Sequence, residues 1–120
     1  MGTPENRLSA YLASLANRNL SADTRHRVAQ SLLAWFTAGY SGPAMAASHD
    51  LRKLATTLFP GQSNATVFGG TSAVSLMGAA FCNAGITHLR EIDDAHRTAM
   101  LHPGIVTVTP VLALATSLPM

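Results

Sequence analysis

At 120 residues the chain is long enough for one compact core and too short for two ordinary domains. A formal charge of +2 leaves no basic stripe for a nucleic acid, and 12% charged against 48% hydrophobic residues leaves little polar material to cover the surface. The one cysteine, Cys82, excludes an intramolecular disulfide and a multi-cysteine zinc site, and fits a reducing compartment.

In chain order, Leu8, Tyr11, Leu12 and Leu15 recur at i, i+3, i+4 and i+7 behind Pro4 and Glu5, which predicts a short amphipathic helix over 4–16. Ser21 caps a second helix with Asp23 in its first turn, and Val28, Leu32, Trp35 and Phe36 form one stripe down to Gly39. After the Ser41-Gly-Pro43 turn, Leu51, Leu54, Ala55 and Leu58 make a third stripe ending at Pro60-Gly61, with His49, Asp50, Arg52 and Lys53 on its wet face. Ala65-Thr-Val-Phe68 reads as an extended piece too short to found a sheet.

Thr71 or Ser72 then caps a fourth helix, about Ser72 to Ala84, with Asn83-Ala-Gly85 as its stop. Glycine inside a helix costs about 0.5–1 kcal/mol relative to alanine, so Gly78 amid alanines marks a buried helix that another backbone approaches closely. Cys82 on this helix reads as a buried structural thiol. Ile105, Val108, Val111, Leu112 and Ala115 keep helical spacing with Pro110 as a kink, against a weaker strand reading of Ile105 to Val108. The expected fold is all-α, about five helices in one domain over 1–120. The N-terminus lacks the apolar core of a signal peptide, and Pro103, Gly104, Thr107, Thr109 and Pro110 make the uncharged run after Arg97 poor material for a membrane span. A cytoplasmic protein with no membrane or nucleic-acid partner is the expectation.

Charge is gathered in one place. From Leu54 to Met120 the only formally charged residues are Arg90, Glu91, Asp93, Asp94 and Arg97, with His88, His96 and His102 around them. Adjacent carboxylates sharing a dry site cannot both ionise cheaply, so one of them must be held by Arg90, Arg97 or a protonated imidazole, or have a raised pKa. Such groups handle protons near neutral pH. His102 is followed by Pro103-Gly104 at a helix head, where free backbone N–H groups favour an anion such as a substrate carboxylate. The bland readings are a core histidine for His88 and helix capping or arginine pairing for Asp93 and Asp94. His88, Asp94, His96 and His102 are donors that zinc or manganese accepts, but their spacing fits no metal motif and no metal is expected.

These residues carry a resemblance. Ala65-Thr-Val-Phe-Gly69, Ala79-Ala80 with Asn83-Ala-Gly85, His88 with Glu91-Ile-Asp-Asp94, then His102-Pro-Gly104 and Pro110 with Leu112-Ala113 resemble, in that order, the N-terminal part of the MmgE/PrpD family. The likeness runs from about Leu8 to Met120. The family includes 2-methylcitrate dehydratase, cis-aconitate decarboxylase and iminodisuccinate epimerase, and its members are several times longer than this chain. The family's His-x-x-Asp-Phe-Asp-Asp-Thr pattern falls on His88, Glu91, Ile92, Asp93, Asp94 and Ala95, so Glu91 stands for an Asp and Ala95 for a Thr. Ala34 likewise replaces an Asp common in the second helix.

The resemblance implies proton removal next to a carboxylate of a di- or tricarboxylate, followed by dehydration, decarboxylation or epimerisation, without metal or organic cofactor. His102, Asp94 and Glu91 are the expected catalytic groups, and His88, Asp93, His96 and Arg97 the expected substrate contacts. Lys53 is the sole lysine, so the cations for a polycarboxylate are expected from sequence beyond this stretch. The chain is then an N-terminal fragment, inactive alone, completed by a missing C-terminal portion or a homodimer partner. A non-catalytic helical module and one subunit of a split enzyme stay open as alternatives.

Overall fold

The computed structural model describes residues 2–15, 18–70 and 74–118. It is all-α: α1 (Pro4–Leu15), α2 (Ala22–Ser41), a 3-10 turn (Gly42–Ala44), α3 (Ala47–Leu58), α4 (Leu76–His88) and α5 (Pro103–Ser117). Among the described residues there is no strand, only an isolated antiparallel bridge between His96 and Leu101. None of their helices is long and apolar enough to cross a membrane.

α4 is the hub, packed against α2, α3 and α5. Its sequence is apolar on every side, which suits a helix covered all round. Ala79, Cys82 and Ile86 sit in the core with Ala55 of α3 and Ala113 of α5. The close approach expected at Gly78 is present: a Cβ there would lie 3.5 Å from the Ala55 carbonyl and 3.6 Å from that of Phe59.

The boundaries of α4 differ from the sequence reading. Ser75 is the N-cap, accepting from the Gly78 N–H, while Thr71 and Ser72 lie outside the described residues. The helix also runs through Asn83-Ala-Gly85 to His88. Gly85 stays helical because its missing side chain makes room for Leu51, and Asn83, 1% exposed, acts as a clamp instead of a stop. Its Nδ2 donates to the Thr66 carbonyl at 2.8 Å and its Oδ1 accepts from the Phe68 N–H at 2.9 Å, fixing the loop 65–70 on the hub. The Phe68 ring thereby packs against Trp35, Phe36 and Tyr40 of α2.

The outer helices are less covered. α1 forms where expected, yet Leu8, Tyr11 and Leu12 stay more than half exposed and, among the described residues, the helix packs against no other element. α2 is capped by Ser21 and packs only through its lower half, since Val28 is exposed while Trp35 is fully buried. α5 is one helix across Pro110, so the strand reading of Ile105 to Val108 fails. A proline inside a helix removes one backbone bond and pushes on the preceding turn. Pro110 is exposed, so its ring meets water and not the core.

The buried Cys82 thiol is pushed up from 9.0 to about 11 by desolvation, with Arg52 pulling the other way. The thiol stays neutral in the folded chain after it has begun to ionise in the unfolded one. Its contribution is therefore complete below pH 9.0 and is lost as the pH rises through about 11. Denaturant unfolding across that window should show a fall in stability that Cys82→Ala reduces; an identical fall in both would remove Cys82 as its source.

Candidate functional site

The site forms where α4 ends. After His88 the chain reverses at once: Glu91 takes φ 52°, a conformation few residues other than glycine adopt, and its N–H bonds the His88 carbonyl at 3.0 Å. The reversal swings Asp93 back to His88. The Asp93 side chain is 0% exposed, and its Oδ1 lies 3.1 Å from His88 Nδ1. From the other side, at the head of α5, His102 Nδ1 comes within 2.8 Å of Asp93 Oδ2.

The two contacts are not equivalent. His88 meets the carboxylate in hydrogen-bond geometry, with Nδ1 as the donor when that tautomer is present. His102 Nδ1 is buried and close, but its N–H vector is out of line for a hydrogen bond. The imidazoles cross edge to face with centroids 4.7 Å apart, and their side chains keep 43% and 37% of their exposure. One buried carboxylate thus grips two half-exposed rings. A buried carboxylate without partners is costly, and here imidazoles supply them while no arginine does.

Asp94 does different work. Its carboxylate accepts from the Gly104 N–H at 2.9 and 3.2 Å, holding the first turn of α5 where the cap residue, His102, makes no side-chain cap bond of its own. This is the capping role, and it fixes the backbone that carries His102. Gly104 is wedged: a Cβ would stand 2.6 Å from Asp94 Oδ1 and 3.0 Å from Trp35 Cδ1. Gly104→Ala is expected to destabilise the fold by about 1–3 kcal/mol through overpacking. An unchanged melting temperature would contradict this lock.

The other expected site residues lie apart. Glu91 is exposed and serves the turn, Arg97 is exposed, and His96 Nδ1 accepts from the Ala99 N–H at 3.0 Å. Among the described residues no side-chain hydrogen bond or ion pair joins any of the three to the His88–Asp93–His102 cluster. Arg90 points elsewhere too, its Nε donating to the Ser41 carbonyl at 3.3 Å. The window from Arg90 to Leu101 is built of turns and bends, with Glu91 at positive φ just after α4 ends.

Trp35 is the neighbour that sequence reasoning assigned only to the core. It is core, fully buried, but its indole edge abuts Gly104, and its Nε1 is buried without a hydrogen-bond partner. Nothing in an apolar stripe marks that second role.

The donor set of His88, Asp94, His96 and His102 is not assembled, since Asp94 and His96 are engaged elsewhere. Another one is. His88, Asp93 and His102 each offer a ligand atom, all within 4.8 Å of one another, which matches a two-histidine, one-carboxylate donor set.

Comparison with curated proteins finds no match, and neither does comparison with solved structures. The family description of the MmgE/PrpD N-terminal domain, by contrast, matches residues 6–120, taking in all five helices except the first residues of α1 and the whole His88–Asp93–His102 cluster. The chain therefore belongs to the MmgE/PrpD family and represents its N-terminal domain.

Proposed function

We propose that the chain supplies the acid–base centre of an enzyme that removes a proton next to a carboxylate of a di- or tricarboxylate. The observation that carries this reading is the buried Asp93 held between two half-exposed imidazoles. With its Nδ1 edge turned to Asp93, His102 is left with Nε2 as the atom to take or return a proton. His88, held by the same carboxylate, is placed to bind the substrate or serve as the second proton carrier. Asp93 orients both rings and balances the positive charge that forms when one of them is protonated, and Asp94 positions His102 through the head of α5. The resemblance supports dehydration, decarboxylation or epimerisation as the overall reaction, with no metal or organic cofactor.

The centre lacks cations. A polycarboxylate needs several converging positive groups, and among the described residues no Lys or Arg contacts the cluster. Those groups come from sequence outside this chain, so the chain is an N-terminal fragment of the working enzyme. The exposed Val106, Val111 and Leu114 on α5 support a covering surface there, from the rest of the enzyme or a second subunit.

The test is to assay the purified chain against 2-methylcitrate, cis-aconitate and iminodisuccinate while measuring its mass in solution. No turnover is expected from the chain alone. A well-behaved monomer that turns over any of the three would overturn the fragment reading. In the chain completed by its missing segment, stoichiometric zinc or manganese lost together with activity would instead assign the cluster to a metal.

A further inference from the structure

On the flank of α3 a cavity of about 530 Å³ opens away from the histidine cluster. Cys82, the α4 residue that lines it, precedes His88 by six positions, which is about 9 Å along the helix axis and about 120° around it. The two places are separate. One wall carries His49, Arg52 and Lys53, which share a face of α3 by their i, i+3, i+4 spacing; the remainder is largely apolar, with Val67 and Val74. Among the described residues none of the three bases forms an ion pair with a carboxylate.

Arg52 holds the loop and keeps one donor free. Its Nη2 donates to the Phe68 carbonyl at 2.7 Å and its Nη1 to Ser48 Oγ at 3.3 Å, whereas Nε is buried with no hydrogen-bond partner. Beside Nε is Gly70, also in the cavity wall, where a methyl group would stand 3.6 Å from that nitrogen. A buried donor without a partner calls for an acceptor.

We propose that this cavity binds a small monocarboxylate with an apolar body. Its carboxylate oxygens meet Lys53, His49 and the space between Gly70 and Arg52 Nε, and its hydrocarbon part covers Val67 and Val74. The donors suit one carboxylate better than a dianionic phosphate, because two of the three guanidinium nitrogens are already engaged within the fold. The cavity is within the usual size range of small-ligand sites, about 300–1,000 Å³, and its apolar portion excludes a ligand that is all charge.

Octanoate is the probe, titrated calorimetrically into the full chain, with acetate and 1-octanol as controls and amide chemical shifts to place it. Octanoate should bind at one site and perturb Val67, Gly70 and Val74, with acetate and octanol at least tenfold weaker. His49→Gln with Lys53→Met should weaken octanoate at least tenfold without changing the circular dichroism, since both side chains are on the exposed face. Gly70→Ala, whose methyl meets its neighbours at ordinary contact distances of 3.4 Å and more, should fold and also weaken binding. His102→Gln should bind octanoate like the parent chain. Octanol equal to octanoate, shifts confined to α1, wild-type affinity in the double variant, or loss in His102→Gln would each overturn the proposal.

Discussion

His102→Gln is expected to lower turnover of the polycarboxylate by on the order of 10²–10⁴-fold, the usual contribution of a positioned general acid or base, while the helical circular dichroism and melting temperature stay close to the parent values. The comparison belongs in the catalytically competent form, the chain together with the segment that completes it. Glutamine keeps the size and a hydrogen-bonding end but cannot carry a proton at neutral pH. The fold should tolerate it, because His102 precedes α5 as a cap residue without a cap bond, and the helix head is secured by Asp94 instead. Wild-type rates in this variant would remove His102 from the proton path.

The second large effect is expected far from any chemistry. Asn83→Leu keeps roughly the volume and removes both side-chain bonds to the loop 65–70, leaving the Phe68 N–H and the Thr66 carbonyl to find new partners. Stranding such groups costs about 1–3 kcal/mol each. Thr66 is exposed and can turn to water, so denaturant unfolding should show a loss of about 2–3 kcal/mol. The damage should travel. Phe68 packs tilted against Trp35 with ring centroids 5.1 Å apart, and the edge of Trp35 abuts Gly104, so loosening the loop also loosens the seat of His102. A loss below about 1 kcal/mol, the net worth of one ordinary hydrogen bond, would show that the clamp is dispensable.

The helices were legible because apolar residues at 3.6-residue spacing report which face is buried, and all five appear, with α4 displaced by about four residues. That displacement has a physical source. Asn83-Ala-Gly85 has the composition of a helix stop, but both polar and small residues were spent on packing, Asn83 on the loop and Gly85 on Leu51, which no local pattern reveals. The N-terminal stripes were read correctly as helical, yet periodicity says only that a face is apolar, and the α1 face is left open.

The charged window was legible as a place and not as an arrangement. Asp93 and Asp94 are neighbours in sequence with opposite tasks: outside a helix, successive side chains project in different directions, so one reaches the imidazoles and the other the α5 head. The pairing of His88 with His102 crosses fourteen positions and depends on the reversal at Glu91, a residue type with no special liking for positive φ. Composition could not announce that turn. The cationic face of α3 read as merely wet, because a sequence does not show that Val67 and Val74 come to lie beside it.

The most direct measurement of the central claim is the response of the imidazole proton resonances to added cis-aconitate at constant pH, made on the chain together with the segment that completes it, which requires binding but no turnover. The His88 and His102 signals should shift together and saturate, with Asp93→Asn altering both, while His26 on the exposed part of α2 stays still. Shifts at His26 comparable to those at His88 and His102, or none at the pair across a saturating range, would contradict the assignment of this cluster to carboxylate chemistry.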